Sequence, residues 1–558
     1  MRRRRSFAYA TFLIATLLFS LTMPGISRAK SAATSFNAST SYADRYGIAS
    51  SQLTDLDATT MDHEFQDLNG VGAGWVRCGF SWVNLEPVQG WWNPERLACA
   101  DRLVSEAEDH EVNVLGILGC TPYWANGGKT WNYPPTDIAA WRNYVRTIVT
   151  RYRGRVKAWE VWNEENIQIF WGDPPSPAAY MPILIAASEE IRAADPDALI
   201  LMGGLAGGWT PSFDYLTGCL SLGLANYVDV INYHPYPETL GTGEYTPQEV
   251  KCRWIVDYMR YLMAQGGAAD LQLWITEFSF TTSQWDQETQ AIYMLRSLIN
   301  YARTDLEMIF WYRLRDTGSE LSGLVEEDFD RKRSYSYYTT FTDVFGDVTA
   351  FDPSAASFSC ARMDTLEADC FRKNNGRLLI AAWKTDDLDD SFNLTISDPA
   401  YKSLIAIDPE TGARQPCAAS IDAYGRLAIS GMAIGKKPVI LEASMSTDPD
   451  AYGNAFYFAE GYTGQGFEEW LCLANPNAQA TTAHVTYMFS DGTTQTQDVP
   501  IGGTTRQTVY VNDAVGAGKD VSIKVTSDSP IVCERPMYFN YKGGWTGGHD
   551  VVGYAGEL

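Results

Sequence analysis

The sequence predicts an α/β protein: a (β/α)8 TIM barrel followed by a β-sandwich and a further all-β C-terminal module. Three observations carry this. Eight short apolar runs recur about every 28 to 44 residues between positions 44 and 345, the length of one strand, one helix and two loops. Stretches such as 141–152 and 182–193, apolar at helical spacing, lie between them. After about Phe345 the texture changes to short β-rich segments separated by turn signals. With 558 residues, 45% hydrophobic and 20% charged, the chain has material for several domains and is too apolar to be largely disordered.

The elements follow in chain order. Residues 1–29 read as a secretory signal peptide: Arg2 to Arg5 are the charged start, 8–23 the apolar stretch, and Ser27 and Ala29 the small residues before cleavage. That stretch is short for a bilayer span, and no other approaches about 20 apolar residues. A secreted or cell-surface protein without a membrane span is expected. The barrel occupies 30–345, with strands expected at 45–49, 74–78, 113–118, 157–162, 199–203, 228–233, 271–277 and 308–312. An open doubly wound sheet is the weaker alternative, since no Gly-rich fingerprint follows the first strand. Residues 346–446 then read as a β-sandwich packed on the barrel, with strands such as 378–383 and 391–396 and the turn Pro409-Glu-Thr-Gly412. A Ser-, Asp- and Pro-containing linker at 444–453 leads to the C-terminal module, 447–558. That module repeats Gly-Tyr-Thr-Gly at 461–464 as Gly-Trp-Thr-Gly at 544–547, a single echo.

Composition narrows the function. Acidic residues outnumber basic ones by 68 to 43, a formal charge of -25, so a phosphate backbone is a poor partner. Aromatic residues reach 13%, with 18 Trp and 31 Tyr, which suits both a core and a surface that stacks on sugar rings. The ten Cys include no CxxC pair and the five His no HExxH, so neither metal nor cofactor is expected. Two cysteine pairs, Cys472 with Cys533 across two strand-like segments and Cys360 with Cys370 locally, are placed to bridge in an oxidising compartment; buried free thiols are the alternative for each.

The chemistry concentrates in two segments. Trp159-Glu-Val-Trp-Asn-Glu-Glu-Asn166 ends the fourth expected strand, and Trp274-Ile-Thr-Glu-Phe278 the seventh. Barrel sites lie at the C-terminal ends of strands, so Glu164 and Glu277 are expected to face each other across the mouth. Two carboxylates over one cavity can cleave a glycosidic bond: one protonates the leaving oxygen while the other meets the anomeric carbon. Strand alternation puts Glu160, Trp162 and Glu164 on one face and turns Glu165 elsewhere. Trp82, Trp91, Trp92, Trp124, Trp131 and Trp171 follow strands two to four, on loops that wall the active face.

These two motifs resemble clan A of the glycoside hydrolases, with the flavour of family 39 and related xylosidase-like or exopolysaccharide-cleaving members. The resemblance covers about residues 44–345. It implies that Glu164 is the acid/base and Glu277 the nucleophile of a retaining hydrolase acting on an oligo- or polysaccharide. Arg77, Asn163, His234, Tyr236 and Trp311 match supporting positions, and with Trp124 they form the expected substrate-binding set. Arg77 can keep the nucleophile ionised, Asn163 can donate to a sugar 2-hydroxyl, Tyr236 can fix the angle of Glu277, and Trp311 can floor the site. His234 can steady Glu164 or bind sugar. Two departures stand out: Asn-Glu-Glu replaces the usual Asn-Glu-Pro, which leaves Glu165 as a rival acid, and the third strand ends in Gly119-Cys-Thr-Pro-Tyr-Trp124 without a His. A non-catalytic carbohydrate-binding or surface protein, and a transglycosylase using the same carboxylates, are the competing functions. The C-terminal module is a candidate for glycan or cell-wall contact.

Overall fold

The computed structural model describes residues 45–555 except 51–52, 208–209, 237–248, 387, 446–454, 476–479, 528–530, 542–544, 550 and 552–553. The signal-peptide reading, most of the linker and Gly544 of the echoed motif lie outside the described residues.

Eight parallel strands close into a barrel: β1 (Tyr46–Ala49), β2 (Trp75–Ser81), β3 (Asn113–Gly119), β4 (Ala158–Asn163), β5 (Leu199–Ala206), β6 (Val230–His234), β7 (Gln272–Phe278) and β8 (Met308–Tyr312). Closure comes from β8 pairing with β1, Tyr46 opposite Ile309 and Ala49 opposite Tyr312. Alternate side chains, including Trp75, Leu115, Ala158, Val230, Trp274 and Phe310, fill the interior. At Gly47 a Cβ would stand 2.5 Å from the Phe310 ring, so only glycine lets that ring into the barrel.

Helices cover the outside, and the helix Ile138–Arg151 shows why they form. Its N-cap is Asp137, whose carboxylate accepts from the Ala140 amide at 3.1 Å. It then buries Trp141, Tyr144, Val145, Ile148 and Val149, the three- and four-residue spacing of a single helical face. No helix among the described residues is long and apolar enough to cross a membrane.

Beyond the barrel, ten strands between 348 and 444 form a six-stranded and a four-stranded antiparallel sheet. One face of the larger sheet shares the barrel's core through Phe371, Leu379, Trp383, Ile405 and Ile440. Charged pairs rim this contact: Arg303 lies 2.8 Å from Asp369 and 3.1 Å from Glu367, and Arg253 is 3.1 Å from Glu367. The strands after residue 454 form two further five-stranded antiparallel sheets around a separate apolar cluster that includes Phe456, Leu471, Val485 and Ile523.

Both expected cysteine bridges are absent; no disulfide joins any of the ten cysteines. Register explains the first. Cys472 pairs with Glu534 while Leu473 pairs with Cys533, so the two thiols leave neighbouring strands on opposite faces. Cys533 is buried in the core and Cys472 is not. In the second pair Cys370 is buried in the six-stranded sheet, whereas Cys360 lies in the four-stranded one with its thiol 3.7 Å from the Met363 sulfur.

Candidate active site

The barrel's polar interior starts with Arg77 on β2, which is fully buried. An unpaired buried guanidinium is costly, and here every side of it is occupied. Its Nε and Nη2 take the two Glu160 oxygens at 2.6 and 2.9 Å. Nη2 also reaches Asn163 Oδ1 at 2.8 Å, and Nη1 reaches Glu277 Oε1 at 2.5 Å. Glu160 in turn accepts from the Gly204 amide at 2.8 Å and from Asn232 Nδ2 at 3.0 Å. Asn163, with its oxygen committed to Arg77, keeps its amide NH2 as the group it can offer a ligand.

His234 bridges the two ends of this network. Its Nδ1 lies 2.8 Å from Glu164 Oε1 and 3.8 Å from Glu277 Oε2, while Nε2 meets the Thr276 hydroxyl at 3.0 Å. Gly204 makes room for the ring, because a Cβ there would stand 2.2 Å from Nε2. The Tyr236 hydroxyl donates to Glu277 Oε2 at 2.6 Å. Burial pushes the Glu277 carboxyl up, but His234, Arg77 and the Tyr236 hydroxyl outweigh it and hold the group below the usual range. Tyr236 is itself raised far above the ordinary tyrosine value by burial and by Glu277, so it remains a donor.

Neither glutamate reaches the cavity by simple alternation. On β4, Ala158 faces the barrel interior and Glu160 binds the interior Arg77, but Trp162 has φ +81° and Glu164 φ +50°. Trp162 packs against Trp141 and Trp171 instead of sharing the Glu160 face. The expectation that Glu160, Trp162 and Glu164 share one face therefore fails at Trp162, and a left-handed backbone step aims Glu164. On β7, Trp274 faces inward, and the pairing with β8 slips between Ile275 and Phe278, which re-aims Glu277. Glu165 is fully buried behind the site. Among the described residues its carboxylate has no hydrogen-bond partner, and a Cβ at Gly203 would stand 1.9 Å from Oε2. Burial drives its carboxyl far above the usual range, and its place outside the cavity lining takes it out of contention as the acid.

A cavity of about 650 Å³ opens over these groups, lined by Asn163, Glu164, Glu277, Trp131, Phe170 and Tyr312 among others. Two expected substrate contacts are corrected. Trp311 is fully buried on the outer face of β8, packed on Phe278 with its indole N–H on the Ser322 carbonyl. Inward positions on that strand are Met308, Phe310 and Tyr312, so Tyr312 lines the cavity in its place. Trp124 packs edge-on against Trp82 and donates to the Glu86 carbonyl, leaving Trp131 as the cavity's wall. Trp82 and Trp171, expected on the groove, are core residues.

Sequence reasoning placed Glu160 on the Glu164 face without giving it a role, and passed over Asn232 and Thr276. A signal existed: each sits at an inward position of a strand, where an unpaired polar side chain would be costly. One ligand atom each from Glu164, His234 and Glu277 lies within 4.8 Å of the others, the spacing of a metal site. Those atoms are already engaged by protein partners, and a guanidinium 2.5 Å from Glu277 opposes a cation.

A closed parallel barrel with one glutamate past strand four and another at the end of strand seven is the arrangement of the clan A glycoside hydrolases. The chain belongs to the cellulase family, glycosyl hydrolase family 5, whose model matches residues 35–314. A β-xylosidase of Geobacillus stearothermophilus is 28% identical over 199 residues, covering 32% of this chain and 38% of the relative, so the match spans well under half of that protein. A family 39 glycoside hydrolase from Bacteroides cellulosilyticus WH2 shares the fold with a TM-score of 0.57 at 20% identity, over 73% of this chain and 82% of the other. The clan is the one that the two motifs resemble.

Proposed function

We propose that the protein is a secreted retaining glycoside hydrolase that cleaves β-glycosidic bonds of an oligo- or polysaccharide by double displacement. The observation that carries this reading is the approach of the two carboxylates. One oxygen of Glu164 and one of Glu277 lie within 4.8 Å. That nearest approach favours the roughly 5–5.5 Å separation of a retaining pair over the 6.5–9.5 Å that an inverting enzyme needs for its water.

Each residue then has a task. Glu277, kept anionic by Arg77 and aimed by Tyr236, attacks the anomeric carbon while Glu164 gives its proton to the leaving oxygen. A glycosyl ester on Glu277 results. Glu164, now the base, takes a proton from water, whose oxygen attacks the same carbon and releases Glu277. The Asn163 amide donates to the 2-hydroxyl, a contact that strengthens as positive charge develops on the ring. His234, hydrogen-bonded to Glu164, holds the acid in place for both steps.

The signal-like N-terminus supports export. In the C-terminal module, Tyr462 and Tyr538 are 38% and 53% exposed, and Tyr538 borders a cleft of about 460 Å³, which favours glycan contact there. Similarity to a β-xylosidase and membership of the cellulase family make aryl β-xylosides and β-glucosides the first substrates to try. Proton NMR of the first-formed sugar anomer tests the mechanism: retention is expected, and inversion overturns it. Glu277→Ala should abolish turnover, with partial rescue by azide.

A further inference from the structure

Glu320 stands at the mouth of the reaction cavity, in the turn after β8, and the proposed chemistry does not use it. Paired backbone hydrogen bonds between Thr317 and Glu320, at 2.9 and 3.2 Å, close that turn. Its carboxylate is held by one oxygen alone. Tyr312 donates its hydroxyl to Oε2 at 2.7 Å, and the buried guanidinium of Arg313 donates to the same atom. Arg313 is fixed in turn by the Thr317 hydroxyl at 2.7 Å. Among the described residues no donor occupies Oε1.

Glu320 also belongs to two spaces at once. It lines the 650 Å³ cavity with Glu164, Glu277 and Tyr312, and a neighbouring chamber of about 260 Å³. That chamber is walled mainly by hydroxyls and rings, including Tyr236, Ser279, Thr281, Ser283 and Trp285. A half-exposed carboxylate pinned at one oxygen and open at the other, beside a hydroxyl-rich chamber and hydrogen-bonded to the cavity-lining Tyr312, can accept from a ligand that fills the cavity mouth.

We propose that Glu320 is a specificity-determining residue: its Oε1 accepts hydrogen bonds from hydroxyl groups of the neutral sugar whose anomeric carbon meets Glu277. This rests on the hydrolase reading above. A carboxylate only accepts, so it selects a ligand that donates there. It offers no donor to the carboxylate of a uronic acid, so uronides should turn over more slowly than neutral glycosides. A hydrogen bond to a charged group is worth about ten- to hundred-fold in binding. A sugar lacking the matching hydroxyl leaves Glu320 desolvated without return, which is how a polar site discriminates strongly.

The competing view is that Glu320 is no more than a counter-ion for Arg313. The test uses the full chain, as wild type, Glu320→Ala and Glu320→Gln, on aryl β-glucoside, β-xyloside and β-mannoside with their monodeoxy analogues, and on the aryl β-glucuronide. For the best parent substrate, Glu320→Ala should lower kcat/KM by about ten- to hundred-fold. The corresponding deoxy analogue should be nearly unaffected, so the preference collapses, and Glu320→Gln should fall between. Equal losses on parent and analogue, leaving their ratio unchanged, would establish the counter-ion role and overturn the proposal. The same pairs titrated calorimetrically into Glu277→Ala protein read the discrimination without turnover. A failure of the hydrolase reading, seen as no hydrolysis of any glycoside by wild type, is thus separated from a failure of this one.

Discussion

Glu165 is buried with both carboxylate oxygens unpartnered among the described residues, next to the proposed acid/base Glu164. Its folded-state pKa lies well above the ordinary 4.5 because burial disfavours the charged form. The folded protein therefore holds a proton that the unfolded chain releases above that value. The stability tied to this proton is full below about pH 4.5 and is lost as pH rises toward the folded pKa. Glu165→Gln should match wild type near pH 4 and gain on it at neutral pH, by up to about 1.4 kcal/mol per pH unit, in urea titrations run across pH. Glu277 has the opposite sign. Its lowered pKa means that this proposed nucleophile stays ionised below the usual carboxylate range, so the acid limb of kcat/KM should lie below pH 4.5. Glu164→Gln should slow substrates with poor leaving groups far more than activated aryl glycosides, which need little protonation; equal losses would point away from Glu164 as the acid. At Gly204 an added methyl would displace His234. Gly204→Ala should keep the fold by circular dichroism and lose at least tenfold in kcat, as expected for disturbed general acid–base catalysis.

At the scale of the element, the strands deliver the site where they stop being regular. Alternation carries Arg77, Glu160 and Asn232 inward, but Glu164 and Glu277 are aimed by a left-handed step and by a register slip. The left-handed step at Glu164 costs on the order of 1–3 kcal/mol and persists because the polar network over-determines it. The surrounding helices supply ordinary stability. Asp137→Ala removes an N-cap and should lower unfolding stability by about 1 kcal/mol in denaturant titration, with kcat unchanged, since that residue is not part of the cavity lining.

For the whole molecule, the barrel and the six-stranded sheet share one apolar core, whereas the strands after 454 surround their own. Deleting 346–446 would expose Phe345 and the partners of Phe371 and Trp383, so the truncated chain should aggregate or unfold at lower temperature. Stopping the chain near residue 446 should leave hydrolysis of small aryl glycosides intact. Loss of that activity, measured on purified truncated protein, would show that the last module supports the barrel.

By itself the sequence determined the order of elements, the barrel, and the segments that carry Glu164 and Glu277, because hydrophobic periodicity and strand-end position are local properties of the chain. It also brought Arg77, Asn163, His234 and Tyr236 to notice through their motifs. Tertiary structure decided which of the many tryptophans meet the cavity. Trp311, Trp82 and Trp171 pack inside the protein, and Trp124 is turned onto Trp82 and Glu86, because a strand's two faces differ by one residue and loop paths are set by distant partners. It also decided that Cys472 and Cys533 stay apart, since their register puts them on opposite faces. Glu160, Asn232, Tyr312 and Glu320 join the site only when β2, β4, β6 and β8 are closed into one ring. Pairing across a barrel depends on contacts 70 to 200 residues apart, such as Arg77 with Glu277, and those no local pattern encodes.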